Sequence, residues 1–124
     1  MTQKGYVAIS SIVVIAAVVI VVGITVSLVS INEAQVAFSG RKSEEVLNIV
    51  EACIEDALYK LSGTNTLPST ITLPQGTCSV ITDAHIGNSW TFTTIATVSS
   101  HAKAVQVQAT NSATISIGQW KEIQ

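Results

Sequence analysis

The chain has 124 residues, six Lys and Arg against eight Asp and Glu, and a formal net charge of −2. That leaves room for one small domain beyond an apolar head, and the lack of a basic patch excludes the electrostatic footprint of a nucleic-acid-binding protein. Most charged residues fall between Glu33 and Lys60, with acid in excess; from Leu61 onward only Asp83, Lys103, Lys121 and Glu122 remain, in a segment rich in Thr, Ser, Ala, Val and Ile.

The first five residues, Met1-Thr2-Gln3-Lys4-Gly5, are a short polar head. Tyr6 follows, and then a charge-free apolar run to about Ile31. A helix of about 25 residues at ~1.5 Å each reaches roughly 37 Å, against a hydrocarbon core of about 30 Å. Val and Ile dominate the run, and in water they would favour a strand. In lipid a single segment satisfies its own backbone N–H and C=O groups only as a helix. A conventional secretory signal is shorter, roughly 7–15 apolar residues, and ends at a small-residue cleavage site. Here the run is too long and no clean A-x-A site follows, so the sequence predicts a retained membrane helix.

After Ile31 the polarity changes, but no proline or turn cluster stops the helix before Leu61. Ser39-Gly40 is its one weak point, since a glycine costs about 1 kcal/mol of helix propensity relative to alanine. Beyond it Leu47, Val50, Ile54, Ala57, Leu58 and Leu61 recur at three and four residues, the apolar face of an amphipathic helix. Glu44, Glu45, Asn48, Glu51, Glu55 and Asp56 fill the other side. Cys53 falls beside the apolar face.

Ser62-Gly63-Thr64-Asn65 carries turn chemistry that ends the helix. Pro68 and Pro74 confine the next segment to loops or an edge strand. Strand signals follow at Thr77–Thr82, at Trp90–Val98 after the Gly87-Asn88-Ser89 turn, at Ala102–Ala109 after Ser99-Ser100-His101, and at Ala113–Trp120. Trp90, Phe92 and Thr94 alternate onto one face, and Trp90 and Trp120 read as sheet core. The expected fold is α+β: one long helix, with a membrane-spanning half and an amphipathic half, packed on a small antiparallel sheet of about four strands. Its expected segments are a leader over 1–5, a membrane helix over 6–31, an amphipathic helix over 32–62 and a sheet over 63–124.

Cys53 and Cys78 lie beyond the membrane segment. In a translocated domain two thiols commonly pair, so a Cys53–Cys78 disulfide is expected; in a cytosolic domain they would stay reduced. Lys4 favours a cytoplasmic N-terminus, Arg41 and Lys42 weaken that bias, and the cysteine pair tips the remainder toward the outside. His85 and His101 lack companions at ligand spacing and read as surface loop residues, with no metal or other cofactor expected. Asp83, His85 and a serine make a triad only on paper, because no strand–turn–helix nucleophile motif accompanies them; no enzymatic activity is expected.

The junction Lys4-Gly5-Tyr6, abutting an uninterrupted apolar helix, resembles the leader and cleavage site of type IV prepilins. The helix that leaves the membrane segment as an amphipathic helix, the Glu51-Ala52-Cys53 and Gly76-Thr77-Cys78 segments and the terminal hairpin are similar to the small PilX-type minor pilins and pseudopilins. The resemblance implies a prepilin peptidase as first partner, cutting after Gly5, with methylation of Tyr6. It implies other pilin subunits as later partners, met through the N-terminal helix. Ala16, Gly23, Ser27, Ser30 and Ala34 are the small residues on one side of that helix which permit close helix–helix packing; a helix rich in Ala and Ser also shows such a stripe by chance. Major pilins carry a glutamate five residues into the mature chain, paired with a neighbour's N-terminal amine, and here that position is Ser10. The resemblance therefore points to a minor subunit rather than a repetitive shaft subunit. The helix-breaking proline of many pilins is also missing. Two rivals are a membrane-tethered extracytoplasmic binding or adhesion module that never polymerises, and a small secreted enzyme.

Overall fold

A computed structural model describes residues 2–123, those before Gly5 by their backbone alone. The first element is one α-helix, α1 (Thr2–Thr64), unbroken over 63 residues. Gly40 does not interrupt it: a single glycine weakens a helix but does not end one that is held on its C-terminal side by tertiary packing. By its contacts the chain separates into Met1–Ser39 and Gly40–Gln124.

In the first unit every side chain from Gly5 to Ser39 is exposed. None of these side chains is buried, so the helix there owes nothing to tertiary burial. Its polar groups are nonetheless satisfied. The hydroxyls of Ser10, Ser11, Thr25, Ser27 and Ser30 each donate to a backbone carbonyl three or four residues earlier, at 2.8–3.0 Å. No hydroxyl in the apolar run therefore asks for water, which is the condition for lying in hydrocarbon. The helix is long and apolar enough to cross a membrane.

In the second unit the remainder of α1 packs on a five-stranded antiparallel sheet, an α+β arrangement as expected. The strands are β1 (Thr70–Leu73), β2 (Gly76–Ile86), β3 (Ser89–Val98), β4 (His101–Asn111) and β5 (Ile115–Ile123). They lie side by side in chain order. The tight hairpin turns set that order. Gly87, at φ +58°, takes the left-handed first position of the two-residue β2–β3 loop, and Ser99, at φ +56°, does the same between β3 and β4. The segment between Pro68 and Pro74 is the edge strand β1, bounded by the two residues that cannot donate to a ladder.

The core forms where α1 meets the sheet. Val46, Ile49, Val50, Cys53, Ile54, Ala57 and Leu61 are buried from the helix side. Ile71, Cys78, Val80, Trp90, Phe92, Thr94, Ala96, Val105, Val107 and Ala109 are buried from the sheet side. The helix face is turned from the one expected: Val46 and Ile49 join Cys53, Val50, Ile54, Ala57 and Leu61 in the core, while Leu47 and Leu58 flank it, partly buried. The disulfide explains the rotation, because Cys53 must face the sheet to reach Cys78. The helix stops at Thr64, two residues past the expected end. Asn65, at φ +52°, takes the left-handed conformation that ends a helix, and its N–H donates to the Leu61 carbonyl at 3.0 Å.

The sheet has five strands where about four were expected, because the segment before Gly76 pairs as β1; three further features differ, and two of them have the same kind of cause. β2 continues to Ile86 instead of stopping at Thr82, because a bulge at Asp83 resets the alternation and the strand resumes beyond it. β5 runs to Ile123, and a second bulge puts Gly118 between the Gln108–Gln119 and Ala109–Ile117 pairs. Trp120 is the third: expected in the core, it is 42% exposed. It pairs with buried Val107 and so points to the helix-facing side, but from an edge strand with no further strand beyond it.

Candidate functional site

The residues singled out from the sequence fall in two places, one in each unit. In the first unit Lys4-Gly5-Tyr6 lies within the first two turns of α1. The Lys4 side chain lies outside the described residues. Tyr6 is 76% exposed, and a Cβ built at Gly5 would meet nothing within 4 Å. The fold therefore makes no demand for glycine at position 5, and any such demand must come from a partner that grips this backbone. The junction is helical. The first turn carries no acidic residue to favour the helix dipole, so it opens at small cost.

Along the same helix Ala16, Gly23, Ser27, Ser30 and Ala34 are all exposed. A Cβ at Gly23 would meet nothing within 4 Å, and the Ser27 hydroxyl donates back to the Gly23 carbonyl at 2.8 Å. Among the described residues the stripe is exposed throughout. Ser10 donates to the Val7 carbonyl at 3.0 Å and carries no charge.

In the second unit Cys53 and Cys78 are joined, with Sγ atoms 1.99 Å apart and Cα atoms 6.4 Å apart. The bond ties the middle of the packed helix to β2. Gly76, two residues earlier on β2, brings its backbone close against the helix: a Cβ there would stand 3.3 Å from Cδ1 of Ile49. Both cysteines are fully buried, which makes the pair a structural staple rather than an accessible redox couple.

The histidines are not loop residues. His85 lies in β2 and stacks on Trp90, ring centroids 3.6 Å apart, with Nε2 2.9 Å from the Gly87 carbonyl. His101 is the first residue of β4 and is half-buried. Asp83 is turned to the other face of β2, where one carboxylate oxygen accepts from Thr93 Oγ1 at 2.6 Å and Gln106 Nε2 at 3.0 Å. Asp83 and His85 thus face opposite sides of one strand and form no dyad. Among the described residues no cluster of three His, Cys, Asp or Glu is placed to hold a metal ion.

The sequence reading missed a clamp at the helix end. The Asn111 side-chain amide donates to the Leu61 carbonyl and to Asn65 Oδ1, both at 3.0 Å. It ties the end of β4 to the last turn of α1 across 46 or more residues of sequence. A lone Asn near a strand end gives no sign of this in the sequence, since only the tertiary fold brings it to the open carbonyl. No family model, characterised protein or solved structure matches the chain.

Proposed function

We propose that the chain is a structural minor subunit of a type IV pilus or related pseudopilus, delivered to the membrane, processed after Gly5 by a prepilin peptidase and assembled into or at the tip of a filament. On this reading it has no chemistry of its own. The N-terminus faces the cytoplasm and the disulfide-bonded part lies outside the plasma membrane; after assembly the subunit is extracellular.

One observation carries the reading. The Lys4-Gly5-Tyr6 junction opens a helix whose first half is charge-free from Gly5 to Asn32 and exposed on every side, with every Ser and Thr hydroxyl closed on a backbone carbonyl. Such a surface needs lipid or other helices around it. A simple tether would serve for the first and does not require the basic-Gly-aromatic junction.

Ser10 separates a minor subunit from a shaft subunit. A shaft repeats one contact, so an N-terminal amine without a partner would be buried at every step, at several kcal/mol each if charged. A subunit at a tip incurs that cost once, or takes a partner's glutamate. Ser10 also favours the second reading, a tethered binding or adhesion module that never polymerises. Expressing the protein with the assembly machinery, alone and then with a glutamate-bearing major subunit, decides between them. Alone it forms no long filaments; with the major subunit it is recovered in sheared filaments at low copy number. Abundant filaments of this chain alone would refute the minor-subunit reading, and its exclusion from mixed filaments would leave the tethered module.

A further inference from the structure

We propose that the outer face of the sheet, turned away from α1, binds the surface of a neutral polyhydroxyl polymer, a polysaccharide. This goes beyond the subunit reading and does not rest on it.

The pairing register lays out the face. Ser89, Thr110 and Ser116 form one row across β3, β4 and β5; Thr91, Gln108 and Gln119 form the next; Thr93, Gln106 and Lys121 form the third. Strands lie about 4.8 Å apart and same-face residues about 6.8 Å apart along a strand. On β2 the same rows continue with Ile86, Ala84 and Ile81; across β3, β4 and β5 they form a grid of hydroxyl and amide groups, each able to donate and accept, with the Lys121 ammonium, a donor only, at the β5 end of the third row. The next row, Ile95, Ala104 and Ile123, is apolar.

Charge is nearly absent from this grid. Charged residues are sparse in the sheet segment, where about a quarter would be usual for a soluble domain. From Asn65 onward four are present, and Lys103 and Glu122 pair with each other on the helix-facing side. That leaves Asp83 and Lys121 for the whole outer face. A sheet face that only had to stay soluble and unpaired would carry more Lys and Glu. A face meant for nucleic acid or an anionic lipid surface would carry a cluster of cations. Low charge combined with dense hydrogen-bonding groups complements a partner that is neutral and rich in hydroxyls. The adjoining apolar row suits the C–H faces of sugar rings.

Asp83 gives the grid a built centre. The bulge in β2 inserts it as an extra residue and re-aims its carboxylate over the third row. Oδ2 accepts from both Thr93 and Gln106, which fixes the carboxylate and leaves lone pairs on Oδ1. A fixed carboxylate accepts hydrogen bonds from hydroxyls more strongly than a neutral oxygen does.

The test uses the full chain in detergent micelles with its disulfide intact, and two insoluble probes, microcrystalline cellulose and colloidal chitin. Bound protein is measured against total protein at low salt and at about 1 M salt, where surface ion pairing is screened. Saturable binding to at least one probe, unchanged by salt, is expected. Asp83→Ala and, on a separate row, Gln108→Lys each weaken it about tenfold, while Ile117→Ser on the helix-facing side leaves it unchanged. Thermal unfolding identical to the parent shows that a variant retains the fold, and Gln108→Lys, which removes no hydrogen bond of the bulge, decides the matter if Asp83→Ala does not. Failure to bind either probe overturns the proposal. So does binding that salt abolishes, binding that the outer-face variants leave intact, or self-association lost in the same variants, which would assign the face to a second copy.

Discussion

The two halves of α1 are the same secondary structure held for opposite reasons. From Gly5 to Ser39 every side chain is exposed, and the Ser and Thr hydroxyls of the apolar run close on their own backbone. From Val46 to Leu61 one face is buried on a sheet and stapled by a disulfide, while Glu44, Glu51 and Glu55 stay in solvent. The first half is an apolar run long enough to cross a membrane, where a helix is the one way a single segment satisfies its own backbone. The second is a helix because an amphipathic stripe has somewhere to go. An exposed isoleucine at position 9 and a buried one at position 54 are thus both in place, each judged against a different solvent.

The comparison breaks most sharply under one substitution made twice. Val50→Asp puts an unpaired carboxylate into the core and should cost more than about 4 kcal/mol, enough to unfold so small a sheet domain. Val21→Asp should leave unfolding of the disulfide-bonded part in detergent within about 0.5 kcal/mol of the parent and instead weaken retention in the membrane fraction. Denaturant unfolding followed by tryptophan emission, with carbonate extraction of membranes, reads both. Equal loss of stability from the two variants would show that the halves are not independent.

Removing the staple is the next largest effect. Cys53→Ser with Cys78→Ser opens a loop of 25 residues, which the chain-entropy account values at roughly 3 kcal/mol. The loss should appear as a lower denaturant midpoint in the second unit, with helix content of the apolar half unchanged by circular dichroism. An unchanged midpoint would mean that α1 and the sheet hold together without the bond.

Smaller effects sharpen the account at single hydrogen bonds. Asn111→Ala leaves the Leu61 carbonyl without its side-chain donor and should cost about 1–2 kcal/mol. Thr94→Val should do the reverse. The Thr94 hydroxyl is fully buried with no hydrogen-bond partner among the described residues. Removing it at nearly constant shape should raise stability by about 1 kcal/mol. A loss on Thr94→Val would reveal a partner for that hydroxyl.

What could be read from the sequence follows the same division. The apolar run and the amphipathic stripe declared themselves because each keeps one period over many residues. Trp90, Phe92 and Thr94 showed their shared face, and Pro68 and Pro74 narrowed the segment between them to loops or an edge strand, of which the structure has the second. The errors sit where one residue breaks a period of two. Asp83 turned the end of β2 into an apparent loop, and with it His85, which in fact stacks on Trp90. Gly118 and the edge position of β5 account for Trp120, whose apolar bulk suggested a core that does not extend that far. The Asn111 clamp was invisible because it is purely tertiary. In the candidate processing site the tripeptide was legible, and three residues are too few to show the period that would mark its helical conformation.

The most direct test of the central claim, that the polar head is cut from a retained membrane helix, is the intact mass and N-terminal residue of the protein taken from its native envelope. The account predicts a chain beginning at Tyr6, N-methylated, and accumulation of the uncut form when Gly5 is replaced by a bulkier residue. A chain beginning at Met1 or Thr2 in envelopes with an active prepilin peptidase would contradict it.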